Sequence, residues 1–380
     1  MPARTLVISF GNAFDKAFLV EETDNGFRII KTLELLSCGS RDAAVFFFKK
    51  LFSSQFEQTL NSSLSENQGS ASVNEQVLII NDEEAALSAA LKNLSASGEV
   101  LLLSIGAKKS LLGIGSFGRV ELRSEVLGLG QGITKLLAAR ESLFIGRWMK
   151  ESARFLDTEN YLANKSIYPG VLPVDPLSLE MEQGAATEIV RFLKERFWPV
   201  SRSIPKRIIL SGAVFAKSPK VYQSLMIFLN GFEPLGFCHI LLDQKNALSA
   251  FGELLLSFDK RNFQIEDNLT SLGDLISLTH RKKISEELGE LTLDLGLAQK
   301  QKIILKSRDL INIPFDNEQS GSLGMTLKKG VSFDGPISEI NLYGGLLGLV
   351  VDARGRPLPC PQMDSESRVM VKKWHQDLGG

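Results

Sequence analysis

Apolar and polar positions alternate over short stretches at the start of the chain, and glycine marks most of the points where the alternation breaks. Thr5 to Phe10 is apolar and β-rich, Gly11-Asn12 makes a turn, and Ala17 to Glu21 continues as a second strand. Asp24-Asn25-Gly26 is a hairpin signal, with Phe27 to Thr32 as the third strand. Residues 41 to 58 switch to helical spacing. Within them Phe46-Phe47-Phe48 reads as buried helix core, with a surface contact patch as the alternative. Asn61 to Asn74, rich in Ser, Asn, Gln and Gly, reads as a loop. Val77 to Ile80 is a short buried strand, and Asp82 can cap a helix running to about Leu94.

The opening pattern then returns. Leu6-Val7-Ile8-Ser9-Phe10-Gly11 has a counterpart in Leu101-Leu102-Leu103-Ser104-Ile105-Gly106, at the end of a strand begun at Glu99. Ser110 to Gly115 and Gly118 to Arg123 supply two further strands, so the chain reads as two copies of a β-meander, each leading into helices. Helices are predicted around 130 to 156 and over 176 to 197. Arg207 to Leu210 is a strand ending in Ser211-Gly212-Ala213, and Ser218-Pro219 opens the helix that follows. Phe237 to Leu241 is a strand and Lys245 to Ser257 a helix. From about 285 short strands follow one another at 290–295, 301–306, 323–328, 338–343 and 346–351. Ser365 to Leu378 is a last helix whose stripe of Met370, Trp374 and Leu378 reads as docking on its own protein. The expected organisation is a first lobe over 1–98, a second over 99–280, a small all-β domain over 281–358, and a tail helix over 359–380.

Composition narrows the class. A chain of 380 residues is long enough for two or three domains. Its formal charge of −1 gives no basic field for nucleic acid or an anionic membrane. Cys38, Cys238 and Cys360 are scattered and form no CxxC pair, which argues against a disulfide framework or a zinc site. Free thiols, the lack of a signal-peptide pattern after Met1, and no apolar run of membrane-spanning length lead us to expect a cytoplasmic protein without an integral membrane segment.

Two β-meanders with glycine turns, followed by a strand–glycine–helix element, form the layout of actin-like ATPases. In such a layout glycines let backbone N–H groups approach phosphate oxygens, and acidic side chains hold magnesium. Ile209-Leu210-Ser211-Gly212-Ala213-Val214-Phe215-Ala216-Lys217-Ser218-Pro219 and Leu346-Gly348-Leu349-Val350-Val351-Asp352-Ala353-Arg354-Gly355-Arg356-Pro357-Leu358 carry a more specific likeness. In these stretches, and more loosely from about residue 4 to 358, the chain resembles the glutamate mutase L family, the MutL-type proteins associated with B12-dependent mutases. The resemblance implies an α/β, actin/Hsp70-like (ribonuclease H-like) duplicated fold with a C-terminal β domain, and an ATP-driven role toward a mutase.

The chain departs from that family at the phosphate turns. Where the first turn begins Asp-x-Gly in the family, this chain has Ser9-Phe10-Gly11, followed by Asn12, Asp15 and Lys16. The second turn is Ser104-Ile105-Gly106-Ala107-Lys108-Lys109-Ser110, and the third carries Gly212-Ala213 in place of Gly-Gly. A serine hydroxyl cannot replace a carboxylate as a magnesium anchor or proton acceptor near neutral pH. Lys108 and Lys109 suit a metal-free anion or a solvated turn equally, and Asp15 reads as a turn residue. Gly11, Gly106 and Gly212 are needed by the turns even in a dead site.

Ser9, Gly11, Asn12, Asp15, Lys16, Ser104, Gly106, Lys108, Lys109, Ser110, Gly212 and Ala213 therefore outline a vestigial nucleotide cleft. No catalytic or metal-binding residue is expected, and no cofactor beyond an occasional ATP or ADP. The leading expectation is a non-catalytic scaffold for a protein partner, either a related actin-like subunit or a mutase-like client, in a homo- or hetero-oligomer. An active ATPase chaperone using Asp15 or Glu182, and a metal-free nucleotide sensor, stay open. Weaker features are Glu180 and Glu182 on a helix beside the cleft, His239 next to Cys238, and His280 in a basic stretch. The last is the GxGxxG of Gly113 to Gly118, a hairpin rather than a dinucleotide site.

Overall fold

The computed structural model describes residues 4–11, 14–23, 26–37, 40–63, 75–138, 141–199, 202–258, 265–283, 285–295, 300–315, 321–335, 337, 340–359 and 361–380. Asn12, Cys38, Cys360, the Asp24-Asn25 pair and most of the expected 61–74 loop lie outside them.

The first lobe contains β1 (Arg4–Phe10), β2 (Phe14–Thr23), β3 (Gly26–Leu36), α1 (Arg41–Ser63), β4 (Glu75–Ile80) and α2 (Glu83–Leu94). Its sheet has the order β3-β2-β1-β4, antiparallel except where β4 runs parallel to β1. Strand alternation sends Leu6, Ile8, Ala17 and Leu19 to one face, against Ala44, Phe48 and Phe52 of α1. Only Phe48 of the three consecutive phenylalanines is buried, while Phe46 and Phe47 are exposed, because one helix face cannot hold three successive positions.

The second lobe begins with β5 (Glu99–Ile105), β6 (Ser110–Ser116) and β7 (Arg119–Glu125). Three helices follow, α3 (Thr134–Ala138), α4 (Phe155–Ile167) and α5 (Pro176–Phe197), with 3-10 turns at 131–133 and 141–148. The helical stretch expected around 130–156 is thus divided into short pieces, with Gly130, Gly132 and Gly146 among its breaks. Next come β8 (Arg207–Ser211), α6 (Ala213–Ala216), α7 (Val221–Gly231), β9 (Gly236–Leu242) and α8 (Leu248–Ser257). Strands β7-β6-β5-β8-β9 are adjacent in that order, with β5, β8 and β9 parallel and β6 reversed. The first lobe repeats this order without its last strand. A mixed sheet of order 3-2-1-4-5, duplicated, is the actin/Hsp70-like, ribonuclease H-like fold.

The remaining strands are β10 (Thr270–Ser277), β11 (Thr279–His280), β12 (Glu287–Asp294), β13 (Gln301–Lys306), β14 (Leu310–Ile313), β15 (Gly321–Leu327), β16 (Val331–Ser332), β17 (Ile340–Leu342) and β18 (Gly348–Asp352). Strands β13-β12-β15-β17 form their own antiparallel sheet. Strands β10, β18 and β14 do not join it. They extend the second-lobe sheet to eight strands, so residues 281–358 are woven into that lobe instead of standing apart. The tail helix α9 (Ser365–Asp377) docks through Val371, Trp374 and Leu378 into the second-lobe core, as its stripe predicts.

Helices α2 and α8 lie between the two lobe sheets. Val7, Phe18, Phe27 and Ile29 from one sheet and Val100, Leu102, Ile209 and Leu241 from the other meet on them. The helices touch backbone to backbone, since a Cβ at Gly252 would lie 1.7 Å from the Ala86 carbonyl oxygen. This shared apolar layer sets the distance between the turns at the sheet ends, where the site is formed. No helix among the described residues is long and apolar enough to cross a membrane.

Candidate functional site

The ends of β1, β5 and β8 converge on one side of this layer. The first turn is closed by Gly11 N–H donating to the Phe14 carbonyl at 3.1 Å, and the second by Gly106 N–H donating to the Lys109 carbonyl at 3.0 Å. At the third, Gly212 has φ of +99° and its α-carbon abuts the Ile105 backbone, so any side chain would meet that carbonyl oxygen at 2.2 Å. Alternation decides which side chains face the cleft. Ser9, Ser104 and Ser211 share the parity of Val7, Leu102 and Ile209, which face the layer between the lobes. Of these, Ser9 and Ser104 are the positions where the resemblance implies acids.

Not every expected residue is brought there. Asp15 shares the parity of Ala17 and Leu19, so it is buried on the α1 face, away from the cleft. Ser110 shares the parity of Leu112, on the outer face, and its hydroxyl has no hydrogen-bond partner among the described residues. Lys108 is exposed. Gly106 and Ala213 line the cleft directly, together with Phe14 and Lys217, around a cavity of about 80 Å³. That space holds a few water molecules.

Several of the cleft's charges are satisfied internally. Lys16 is buried and sits 3.6 Å from Glu34, its cross-strand partner. Lys217, from the second lobe, also binds Glu34 and lies over the Phe14 ring at 3.9 Å, so one first-lobe carboxylate holds a lysine of its own lobe and one of the other. Burial lowers the Lys16 ammonium, against the pull of Glu34 and Asp243. Lys109 pairs with Glu84 on the first turn of α2 at 2.5 Å. Asp243 accepts the Ser211 hydroxyl at 2.8 Å and the Ala247 and Leu248 N–H groups at 2.8 and 3.1 Å, which caps α8. Burial raises its carboxyl, and those hydrogen bonds oppose the rise.

A further acid closes the far wall. Glu182 on α5 binds Lys165 and accepts the Tyr161 hydroxyl at 3.1 Å. Burial pushes its carboxyl up, against the pull of Lys165. Lys165 also holds the Val171 carbonyl at 2.5 Å, which draws Pro169, Leu172 and Pro173 over the cavity. Glu180 is turned elsewhere, accepting the Lys150 and Glu151 N–H groups at 2.8 and 3.1 Å. Glu34, Glu84, Asp243 and Glu182 each already hold a protein cation or N–H group. The turns themselves present hydroxyls and ammonium groups, a donor set unsuited to Mg²⁺.

The weaker features are structural in form. His239 Nδ1 lies 2.9 Å from Asp274, and its Nε2 lies 3.2 Å from the Ser271 hydroxyl. This has the order of a hydrolytic triad, but Ser271 donates to the Gly344 carbonyl at 2.7 Å. The Gly345 backbone packs against the Ser271 oxygen, where a Cβ would come within 2.5 Å of it, so the hydroxyl serves the local loop. Cys238 points into the opposite core, where burial raises its thiol. Phe117 and Gly118, both at positive φ, form the two-residue hairpin turn expected from the GxGxxG spelling.

No family profile matches the chain, and no curated protein matches it. Solved structures do. The (R)-2-hydroxyglutaryl-CoA dehydratase component A of Acidaminococcus fermentans is 12% identical, over 68% of this chain and 99% of its own, with a TM-score of 0.39. The activator of the 2-hydroxyisocaproyl-CoA dehydratase from Clostridium difficile with bound ADPNP is 11% identical, over 68% and 95%, with a TM-score of 0.37. The ethanolamine utilization protein EutJ from Carboxydothermus hydrogenoformans is 11% identical, over 67% and 90%, with a TM-score of 0.36. At these scores the fold rests on strand order, and the glutamate mutase L likeness stays a resemblance.

Proposed function

We propose that this chain is a pseudo-ATPase of the actin/Hsp70-like fold, a scaffold that works by binding another protein. The observation that carries this is the bridge of Lys16, Glu34 and Lys217. Where a nucleotide and its metal would join the two lobes, the protein's own ion pairs, Lys217 with Glu34 and Lys109 with Glu84, join them, and Lys16 holds Glu34 from within the first lobe. Ser9 and Ser104 offer no carboxylate at the turns, and Asp15 faces away from the cleft.

The partner surface in this reading is the rim of the cleft. Ile167, Tyr168, Val171, Leu172 and Val174 are each at least 50% exposed on the segment that Lys165 anchors. Contiguous exposed apolar residues of this kind mark association sites. The resemblance makes a B12-dependent mutase subunit, or a related actin-like chain, the client to test first.

Titration calorimetry with ATP and ADP, in magnesium and in EDTA, tests the first half. The expected result is no magnesium-dependent heat, and binding that requires magnesium would overturn the reading. Association with a purified mutase subunit, weakened by Tyr168→Ser with Leu172→Ser, tests the second half.

A further inference from the structure

The stretch Asp352 to Leu358 is the part of the resemblance that the cleft does not use. It forms one wall of a second cavity of about 330 Å³, which shares no lining residue with the cleft. The cavity is lined by His280, Arg281, Lys282, Arg308, Arg354 and Arg356, together with Ser307 and two prolines, and by no carboxylate among the described residues. Arg354 and Arg356 are held from behind. Asp352, wholly buried, accepts from Arg354 Nε and Nη2 at 2.9 and 2.7 Å and from Arg356 Nη2 at 2.6 Å. Arg354 Nη1 donates to Asn230 at 2.8 Å and the guanidinium stacks on Trp374 at 4.5 Å. Arg356 also donates to the Pro234 and Gly355 carbonyls, at 3.1 and 2.9 Å. Each of these two guanidiniums uses three of its five N–H donors on protein groups.

The opposite wall adds charge without neutralising it. Lys282 is paired with Glu286 at 2.9 Å. Among the described residues Arg281 has no carboxylate partner. Arg308 has none either, and its one side-chain contact is Nη1 to the Met370 sulfur at 3.7 Å. His280 Nδ1 accepts the Lys282 N–H at 3.2 Å, and its Nε2 lies 2.8 Å from the Ala353 carbonyl oxygen. Five cations against Asp352 and Glu286 leave an excess of three positive charges around one cavity. A low-dielectric wall focuses that field, and arginine forks match the oxygens of a phosphoryl group two at a time.

We infer that this cavity is a binding site for a small ligand bearing a dianionic phosphate, with Arg281 and Arg308 as the gripping residues and Arg354 and Arg356 as the fixed floor. This inference does not rest on the pseudo-ATPase reading. It does mean that nucleotide heat measured in EDTA can arise here, outside the cleft.

The test is calorimetric titration of the full chain with sodium pyrophosphate and with inorganic phosphate, at constant ionic strength, against sodium chloride. The variants are Arg281→Gln with Arg308→Gln and, separately, Lys108→Ala with Lys109→Ala. The expected result is saturable binding at about millimolar Kd or tighter. It should weaken about tenfold or more in the arginine variant, whose fold is checked by its circular dichroism, and be unchanged in the lysine variant. ATP or ADP binding in EDTA that falls with the arginine variant would identify a nucleotide phosphate as the source. Absence of saturable heat, an unchanged affinity in the folded arginine variant, loss in the lysine variant, or preference for an acidic peptide over pyrophosphate would overturn the inference.

Discussion

Two basic cavities in one molecule have opposite electrostatic states. In the interlobe cleft the lysines meet acids: Lys217 meets Glu34 and Lys109 meets Glu84 across the gap, while Lys16 meets Glu34 and Lys165 meets Glu182 within one lobe. In the second cavity one buried acid, Asp352, serves two arginines, and Arg281 and Arg308 face the opening with no acid partner among the described residues. The same chemical class of side chain is a latch in one place and a docking point in the other. What separates them is whether the topology delivers a carboxylate to the same spot. The volumes follow the charges, with about 80 Å³ left in the latched cleft and about 330 Å³ in the other.

The comparison can be broken from the arginine side first. Two buried guanidiniums depend on one carboxylate, so Asp352→Asn is expected to cost about 4 kcal/mol, read by urea denaturation. Burial alone would raise the Asp352 carboxyl, but Arg354 and Arg356 outweigh it and hold it well below the usual carboxylate range. A depressed folded pKa means this stability is present above the unfolded value near 4 and is lost as pH falls below it.

His375, beside the same arginine, gives the next effect. Burial, with Lys150 and Arg354 near, lowers it to about 4, and its Nδ1 has no partner. Kept neutral in the fold, it contributes fully above about pH 6.5, and about 3 kcal/mol is lost as pH falls toward 4. His375→Gln is expected to flatten that part of the stability–pH curve.

On the cleft side Gly252→Ala drives a methyl group into the Ala86 carbonyl and should cost about 2–3 kcal/mol, seen as a lower Tm. Glu34→Gln leaves buried Lys16 without its acid and releases Lys217. It is expected to cost about 2 kcal/mol and to increase proteolysis at the cleft rim. The smallest effect is expected at the surface, where Lys373→Ala removes an exposed pair with Asp377 and should change stability by less than about 0.5 kcal/mol.

Much of the strand and turn layout was legible, since glycine turns and apolar alternation are local signals. The predicted strand at 301–306 and helix at 176–197 coincide with β13 and α5. Strand β10 was missed because Ser271, Gly273 and Asp274 break its apolar run. Ser271 and Asp274 are there for the bonds to His239, and Gly273 follows a bulge at Leu272, which are long-range facts. Glu34 was missed for a similar reason. Counted back from the Thr23–Gly26 hairpin without interruption, Lys16 would face Leu33. A one-residue bulge at Ile30 shifts the register and turns Glu34 to the cleft.

The sequence by itself determined which turns lack acids, since identity at Ser9 and Ser104 is written in the chain. It also pointed to the two β-meanders, because each is built from neighbours, whereas the places of β4, β8 and β9 beside them came from the structure. Only the tertiary structure decided that the cleft lysines are neutralised, that residues 310–313 and 348–352 complete the second-lobe sheet, and that five cations from three distant segments surround one cavity. Pairing of charges depends on distance in space, and a bulge, a crossover or a docked helix can change that distance without leaving a pattern in the nearby sequence.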